Sequence, residues 1–113
     1  MRDFWSTRGI DKSAMNMFDG SGLSRQNRIT ADALVRVMQY AKKRPWLSSF
    51  YNVLPEINGL KMKSGSIGGA RGFTGYSKSK NGNEYAFVII VNNYDGNAGE
   101  VVGKMYTVLD NLK

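Results

Sequence analysis

The 113-residue sequence contains no cysteine and no histidine. Without cysteine there is no disulfide framework, no thiol nucleophile and no cysteine-based zinc site, and the redox compartment is left open. Without histidine the usual general base and the commonest metal ligand are both missing, so any catalysis has to rest on lysine, serine or carboxylates. No cofactor and no metal are expected. Acidic residues are also scarce, 9 Asp+Glu against 16 Lys+Arg, for a net charge of +7. Such a balance favours anionic partners in general. The charges are scattered, however, and the one run, Lys42 to Arg44, falls where a helix should end and the helix dipole stabilises it. A nucleic-acid partner is therefore not expected. Met1 leads straight into Arg2-Asp3-Phe4-Trp5, and neither a signal peptide nor a transmembrane segment is visible.

What is present fits one compact unit. Hydrophobic residues make up 42% of the chain and there are 13 glycines, which suits an α/β or α+β protein better than a disordered or coiled-coil one. The length allows a single domain, 1–113, with a single core. Phe4 and Trp5, next to Arg2 and Asp3, read as the last turn of an amphipathic helix closed by Gly9. The chain thus looks like a piece that begins mid-helix. Ala14 to Phe18 reads as a short strand with Met15 and Met17 on one face.

Thr30 is a good N-cap for a helix through about Lys43, with Leu34, Val37, Met38 and Ala41 on one face. Pro45 starts a second short helix whose apolar anchors, Trp46, Leu47 and Phe50, are expected in the core. After the break at Pro55 and Asn58-Gly59, a strand begins near Leu60 and carries Lys63. A second strand, Arg71 to Ser77, leads to Asn81-Gly82, a two-residue hairpin signal. Glu84 to Asn93 returns as an almost unbroken apolar run, which predicts a strand in the middle of a sheet with both faces covered. Asn97 caps a last helix with Val101, Val102, Met105, Val108, Leu109 and Leu112 in one stripe. The predicted architecture is α+β: a three-stranded antiparallel sheet with flanking helices. The Val88 strand then has only one neighbour, and its other edge carries unpaired backbone groups open to pairing with a second copy or a swapped element.

Two stretches carry candidate chemistry. In Lys61 to Tyr76 the triplet Lys63-Ser64-Gly65 supplies a compact positive charge, a hydroxyl, and a point where backbone approaches a ligand closely. Such a strand suits a carboxylate and a carbonyl, although a solvated turn uses the same residues. In Asp19-Gly20-Ser21-Gly22-Leu23-Ser24-Arg25 two glycines make a backbone-exposed loop, and Arg25 offers a planar fork to a carboxylate. An ordinary surface turn is the plainer reading of that loop. Asp19 and Asn92 read as structural, through turn formation and strand ending.

D-G-S-G-L-S-R at 19 to 25, K-S-G-S at 63 to 66 and V-I-I-V-N-N at 88 to 93, in that order, resemble the C-terminal part of the low-molecular-mass penicillin-binding proteins of the D-alanyl-D-alanine carboxypeptidase/endopeptidase class, peptidase family S13. The resemblance runs over almost the whole chain. It implies part of a β-lactamase/transpeptidase-like fold and a serine acyl-transfer enzyme with three motifs, Ser-x-x-Lys, Ser-x-Asn and Lys-Thr/Ser-Gly; the third is here, no Ser-x-x-Lys stands in a plausible helix context, and the family's Ser-x-Asn is expected upstream of the Asp19 loop. It further implies that Lys63 poises the nucleophile and attracts the substrate's terminal carboxylate, and that Ser64 stands where threonine is more usual, its hydroxyl bonding that carboxylate. The backbone N–H of Ser66 becomes an oxyanion-hole donor. Arg25, with Ile67 and Gly68, then closes a subsite for an acidic side chain of the stem peptide, to which Gly68 brings no side chain. The implied partners are peptidoglycan stem peptides and β-lactams, the implied location is the periplasm or cell envelope, and an upstream strand flanks the Val88 strand. A chain without the serine should be inactive alone. The other reading of the same residues is a non-catalytic basic module that binds an anionic polymer or nucleic acid.

Overall fold

The computed structural model describes all 113 residues. Helix α1 (Arg2–Ser6) leads into a short antiparallel pair, β1 (Met15–Asn16) with β2 (Arg28–Ile29). Helices α2 (Ala31–Lys42) and α3 (Leu47–Val53) follow, then strands β3 (Glu56–Ile57), β4 (Leu60–Ile67), β5 (Ala70–Lys78) and β6 (Glu84–Asn92), and finally helix α4 (Ala98–Leu109). The four strands form one antiparallel sheet in the order β3-β4-β5-β6. No helix is long and apolar enough to cross a membrane.

The α+β class is as predicted, with one strand more than expected. Asn58 (φ 52°) and Gly59 (φ 72°) both occupy the left-handed region, the backbone of a tight two-residue hairpin, and they fold Glu56–Ile57 back onto Leu60 and Lys61. The residues read as a break are therefore a turn. The opposite happens at Asn81-Gly82, where the strands separate earlier. Ser79 to Asn83 form the connection, closed by Ser79 N–H donating to the Asn83 carbonyl at 2.8 Å.

Strand alternation divides the core into two layers. Leu60, Met62, Phe73 and Phe87 face α4 and pack with Met105 and Leu109; Val101, Val102 and Leu112 close around them. Val108, predicted in that stripe, is 58% exposed, and Tyr106 against Phe73 takes the inward place beside Met105. On the other face Tyr76 packs with Met38 and Leu54, flanked by Leu47 and Phe50, and its hydroxyl donates to the Met38 carbonyl at 2.6 Å. Burial of that hydroxyl raises the tyrosine pKa. Trp46, expected in this core, is 48% exposed instead, because it precedes the first turn of α3 rather than lying on its inner face. β6 is not central in this chain. It pairs with β5 alone, and only Phe87 along it is fully buried.

Candidate functional site

The glycine loop is held from within. Asp19 Oδ1 accepts from Ser21 Oγ at 2.9 Å and from the Gly22 N–H at 2.7 Å, while Oδ2 accepts from the Ser24 N–H at 2.8 Å. Gly22, at φ 81°, makes the left-handed step that this wrapping requires. Asn27 clasps the base of the loop, its Oδ1 accepting from the Phe18 N–H at 2.7 Å and more weakly from that of Asp19 at 3.4 Å. These donors stabilise the carboxylate, first the Ser21 hydroxyl and then the backbone N–H groups, and hold the Asp19 pKa below its ordinary value. A carboxyl depressed in the folded state contributes order above its unfolded pKa and loses it as pH falls through the folded one. We therefore expect the Gly22 and Ser24 amide resonances to hold steady down to roughly pH 4, the ordinary aspartate range, and to move only below it. A midpoint at or above that range would contradict the hydrogen-bond assignment.

On β4 the backbone directions can be followed residue by residue. The Met62 N–H donates to the Pro55 carbonyl at 3.0 Å, so the N–H and C=O of Met62 point away from β5. Backbone groups alternate sides along a strand, hence those of Ser64 and Ser66 point the same way. β3 covers this edge only opposite Leu60 and Lys61, leaving it open from Lys63 to Ile67. Lys63 is exposed and curls toward this edge, its Nζ donating to the Ser64 carbonyl at 2.8 Å. An ammonium, an unpaired N–H and a hydroxyl-bearing residue thus line one short stretch of strand.

That stretch borders an open cleft of about 760 Å³ between the sheet and the loop that follows β1. Thr74, Val88 and Ile90 line it from the sheet, Leu34 from α2, and Met17, Gly22, Asn27 and Arg28 from the loop side. Lys63, Arg28 and Arg71 are its charged residues, and no aspartate or glutamate lines it. Arg71 reaches it from the rim. By strand alternation its side chain shares the α4 face with Phe73, whose ring centre lies 6.0 Å from the guanidinium, and its Nε is buried without a hydrogen-bond partner. The cleft is therefore positive, with an apolar floor, and suits an anion that carries some hydrocarbon.

Of the residues singled out in the sequence, Lys63, Ser64, Gly65, Ser66, Ile67 and Gly68 all border this cleft. Arg25 is exposed and does not line it; Arg28, three residues on, does. The Arg28 guanidinium donates to the Asn27 carbonyl at 3.0 Å and to the Arg25 carbonyl, which folds it back along the loop. Asn92 lines the cleft at the end of β6. Sequence reasoning missed Arg28, Thr74 and Leu34. Thr74 could have been reached by pairing the two predicted strands, since it sits directly across from Lys63.

The fold and this edge define a class of protein. With 98% of the chain and 30% of the other chain aligned, the structure superposes on penicillin binding protein 4 from Haemophilus influenzae with a TM-score of 0.78 at 20% sequence identity. The fold is thus of the penicillin-binding-protein type. The family profile of the D-Ala-D-Ala carboxypeptidase 3 (S13) family matches residues 1–60, and the chain belongs to that family. A D-alanyl-D-alanine carboxypeptidase from Actinomadura sp. (strain R39) is 30% identical over 111 residues, covering 80% of the chain and 20% of that enzyme. The chain spans about a fifth of the length of the curated relative it matches.

Proposed function

We propose that residues 1–113 are the C-terminal part of a penicillin-binding domain and supply one wall of the cleft of a serine D,D-peptidase. The substrate class is a peptidoglycan stem peptide ending in D-Ala-D-Ala, and β-lactams are its acylating mimics in the cell envelope. Family membership and the unpaired backbone edge from Ser64 to Ser66 carry this reading together. An extended peptide can add to that edge as a further strand, through main-chain hydrogen bonds. The substrate's terminal carboxylate then meets the Lys63 ammonium and the Ser64 hydroxyl, a charge-assisted pairing.

Attack of a serine oxygen on the scissile carbonyl carbon, its hydroxyl proton passing to a base that later returns it to the leaving amine, forms the tetrahedral intermediate, whose oxygen takes up the negative charge. The Ser66 N–H stabilises it as one donor of the oxyanion hole. Collapse of the intermediate breaks the C–N bond and expels D-alanine, whose amine takes a proton, and water later hydrolyses the ester. The one Ser-x-x-Lys of this sequence, Ser77 to Lys80, runs from the end of β5 into the β5/β6 connection, does not line the cleft, and has its buried serine hydroxyl donating to the Leu112 carbonyl at 2.6 Å, so the wall binds and polarises but does not acylate. Arg25 is exposed at the end of the glycine loop, and its role at an acidic side chain of the stem peptide belongs to the substrate-bound arrangement.

The test is covalent labelling by a fluorescent penicillin, applied to this chain and to the polypeptide read from its gene with the codons upstream of Met1 included. The expected result is label on the longer polypeptide only. Label on the 113-residue chain by itself, or on neither, would overturn the proposal.

A further inference from the structure

Two cations flank β4 from opposite faces. The outward-pointing backbone of Met62, Ser64 and Ser66 makes Met62–Gly75, Ser64–Phe73 and Ser66–Arg71 the pairs of the β4/β5 ladder without mutual hydrogen bonds. In such pairs the Cα atoms stand about 4.5 Å apart and side chains on one face come closest. Met62 packs on α4, so Ser64, Ser66 and Arg71 share the α4 face, with Arg71 directly beside Ser66. The Arg71 guanidinium leans back along the strand toward Phe73, the partner of Ser64, with its carbon 6.0 Å from the ring centre. Lys63 belongs to the other face, across from Thr74. Both cations line the same cleft.

Of the three cations of the cleft, Arg71 is the least engaged. Arg28 donates to the Asn27 and Arg25 carbonyls, and Lys63 donates to the Ser64 carbonyl. The ion pairs of the chain use other cations, and no aspartate or glutamate lines the cleft to compete for Arg71. The Arg71 Nε is buried and donates to nothing, which costs free energy. Atoms of residues 1–113 already close that nitrogen off, so an acceptor on any other segment cannot reach it where it lies. Only a turn of the arginine side chain frees it. The open edge of β4 is one strand spacing away, about 4.8 Å, a span that an arginine side chain covers.

We propose that Arg71 is a specificity-determining residue for the free C-terminal carboxylate of the substrate. It turns across Ser66 to the open edge and grips the carboxylate from the α4 face, while Lys63 meets it from the cleft face. The assignment rests on β4 being the substrate-binding strand, as proposed above. A carboxylate offers about four lone-pair sites, enough for the Lys63 ammonium, the Ser64 hydroxyl and both prongs of a guanidinium fork. The turn also lets Nε leave its unpaired position, so the cost carried by the free protein is recovered on binding. An uncharged chain end offers the fork no anion to grip. Arg71 therefore separates acid from amide and acts on binding rather than on the bond-breaking step.

The test uses the longer polypeptide that includes the codons upstream of Met1, with fluorescent penicillin as the check on the wild type. kcat/KM is measured for an acetylated peptide ending in D-Ala-D-Ala and for its C-terminal amide. Arg71→Ala and Arg71→Gln should each lose about 10- to 100-fold on the acid, mostly through KM, and less than about twofold on the amide. Arg71→Lys keeps the charge and loses the fork, so its loss on the acid should fall between wild type and the neutral variants. It also carries the test in a fold that tolerates no neutral residue at this half-buried position, where an unchanged acid-to-amide ratio overturns the inference. A purely structural role would slow both substrates alike and leave that ratio where it was. Equal losses on acid and amide, or no loss on the acid, overturn the inference while the penicillin label on the wild type leaves the substrate-binding strand standing. A wild type that takes no label overturns both.

Discussion

Alanine at position 75 is expected to lower stability by about 3–5 kcal/mol, most or all of the margin of a domain this size. A Cβ on Gly75 would stand 2.1 Å from the Lys61 carbonyl oxygen, 2.6 Å from the Met62 Cβ and 2.7 Å from the Met62 Cα. Those obstacles are backbone and the root of a fully buried side chain, so no flexible tip can swing aside. Relief requires β4 and β5 to separate at the Met62–Gly75 pair, in the middle of the larger core. A thermal melt followed by circular dichroism should show the midpoint lowered by roughly 15–30 °C or the cooperative transition lost. Gly72→Ala serves as the comparison on the same strand. Its Cβ would meet the Ile89 oxygen and Ile90 Cγ1 at 3.5 Å, an ordinary contact, and should cost less than about 1 kcal/mol. Equal melting of the two variants would mean that the close approach of β4 and β5 is misplaced. Because Met62–Gly75 lies one pair from Lys63–Thr74, the same approach also fixes the height of the cleft-lining strand.

What could be read in advance divides along physical lines. The caps were legible because they are local: Thr30 Oγ1 accepts from the Ala33 N–H at 3.1 Å and Asn97 Oδ1 from the Gly99 N–H at 2.7 Å, each within a few residues. The apolar stripe of α2 was legible too, although Leu34 and Val37 are only half-buried, and Leu34 lines the open cleft. The extra strand β3 escaped because two residues carry no periodicity, and only the left-handed pair Asn58-Gly59 reveals it. The apolar run of β6 was rightly read as a strand, but its expected place in the middle of the sheet is not what this chain shows: it pairs with β5 alone and only Phe87 along it is fully buried, because an apolar run reports a residue's preference for cover and not which strands are there to give it. At the site, Lys63-Ser64-Gly65 was visible as a motif, but the freedom of the Ser66 N–H depends on the direction of a bond from Met62 to Pro55. Arg28 had no signal at all, since a basic residue after a loop is commonplace.

The second large effect falls on chemistry and should leave the fold intact. Lys63 is exposed, and the hydrogen bond from its Nζ to the Ser64 carbonyl is a surface contact that water replaces at little cost. Lys63→Ala should thus shift the melting free energy by no more than about 0.5 kcal/mol. In the enzyme that unites this strand with a nucleophilic serine, the same change should slow acylation by penicillin about 10²- to 10³-fold, the scale of losing one preorganised charge at a developing oxyanion and its carboxylate anchor. Electrostatics predicts which substrates suffer most. Only Arg28 and Arg71 would remain as cationic lining residues, and Arg71 is directed to the α4 face, so Lys63 is the cation nearest the open edge. A peptide ending in a free D-Ala-D-Ala carboxylate should lose kcat/KM by the full factor, whereas its C-terminal amide, which never used the charge, should lose far less. Lys63→Arg should recover part of the difference between acid and amide but little of the rate, because a guanidinium fork does not stand where a compact ammonium did. Equal losses on acid and amide would assign Lys63 to the nucleophile alone and leave the carboxylate to Ser64.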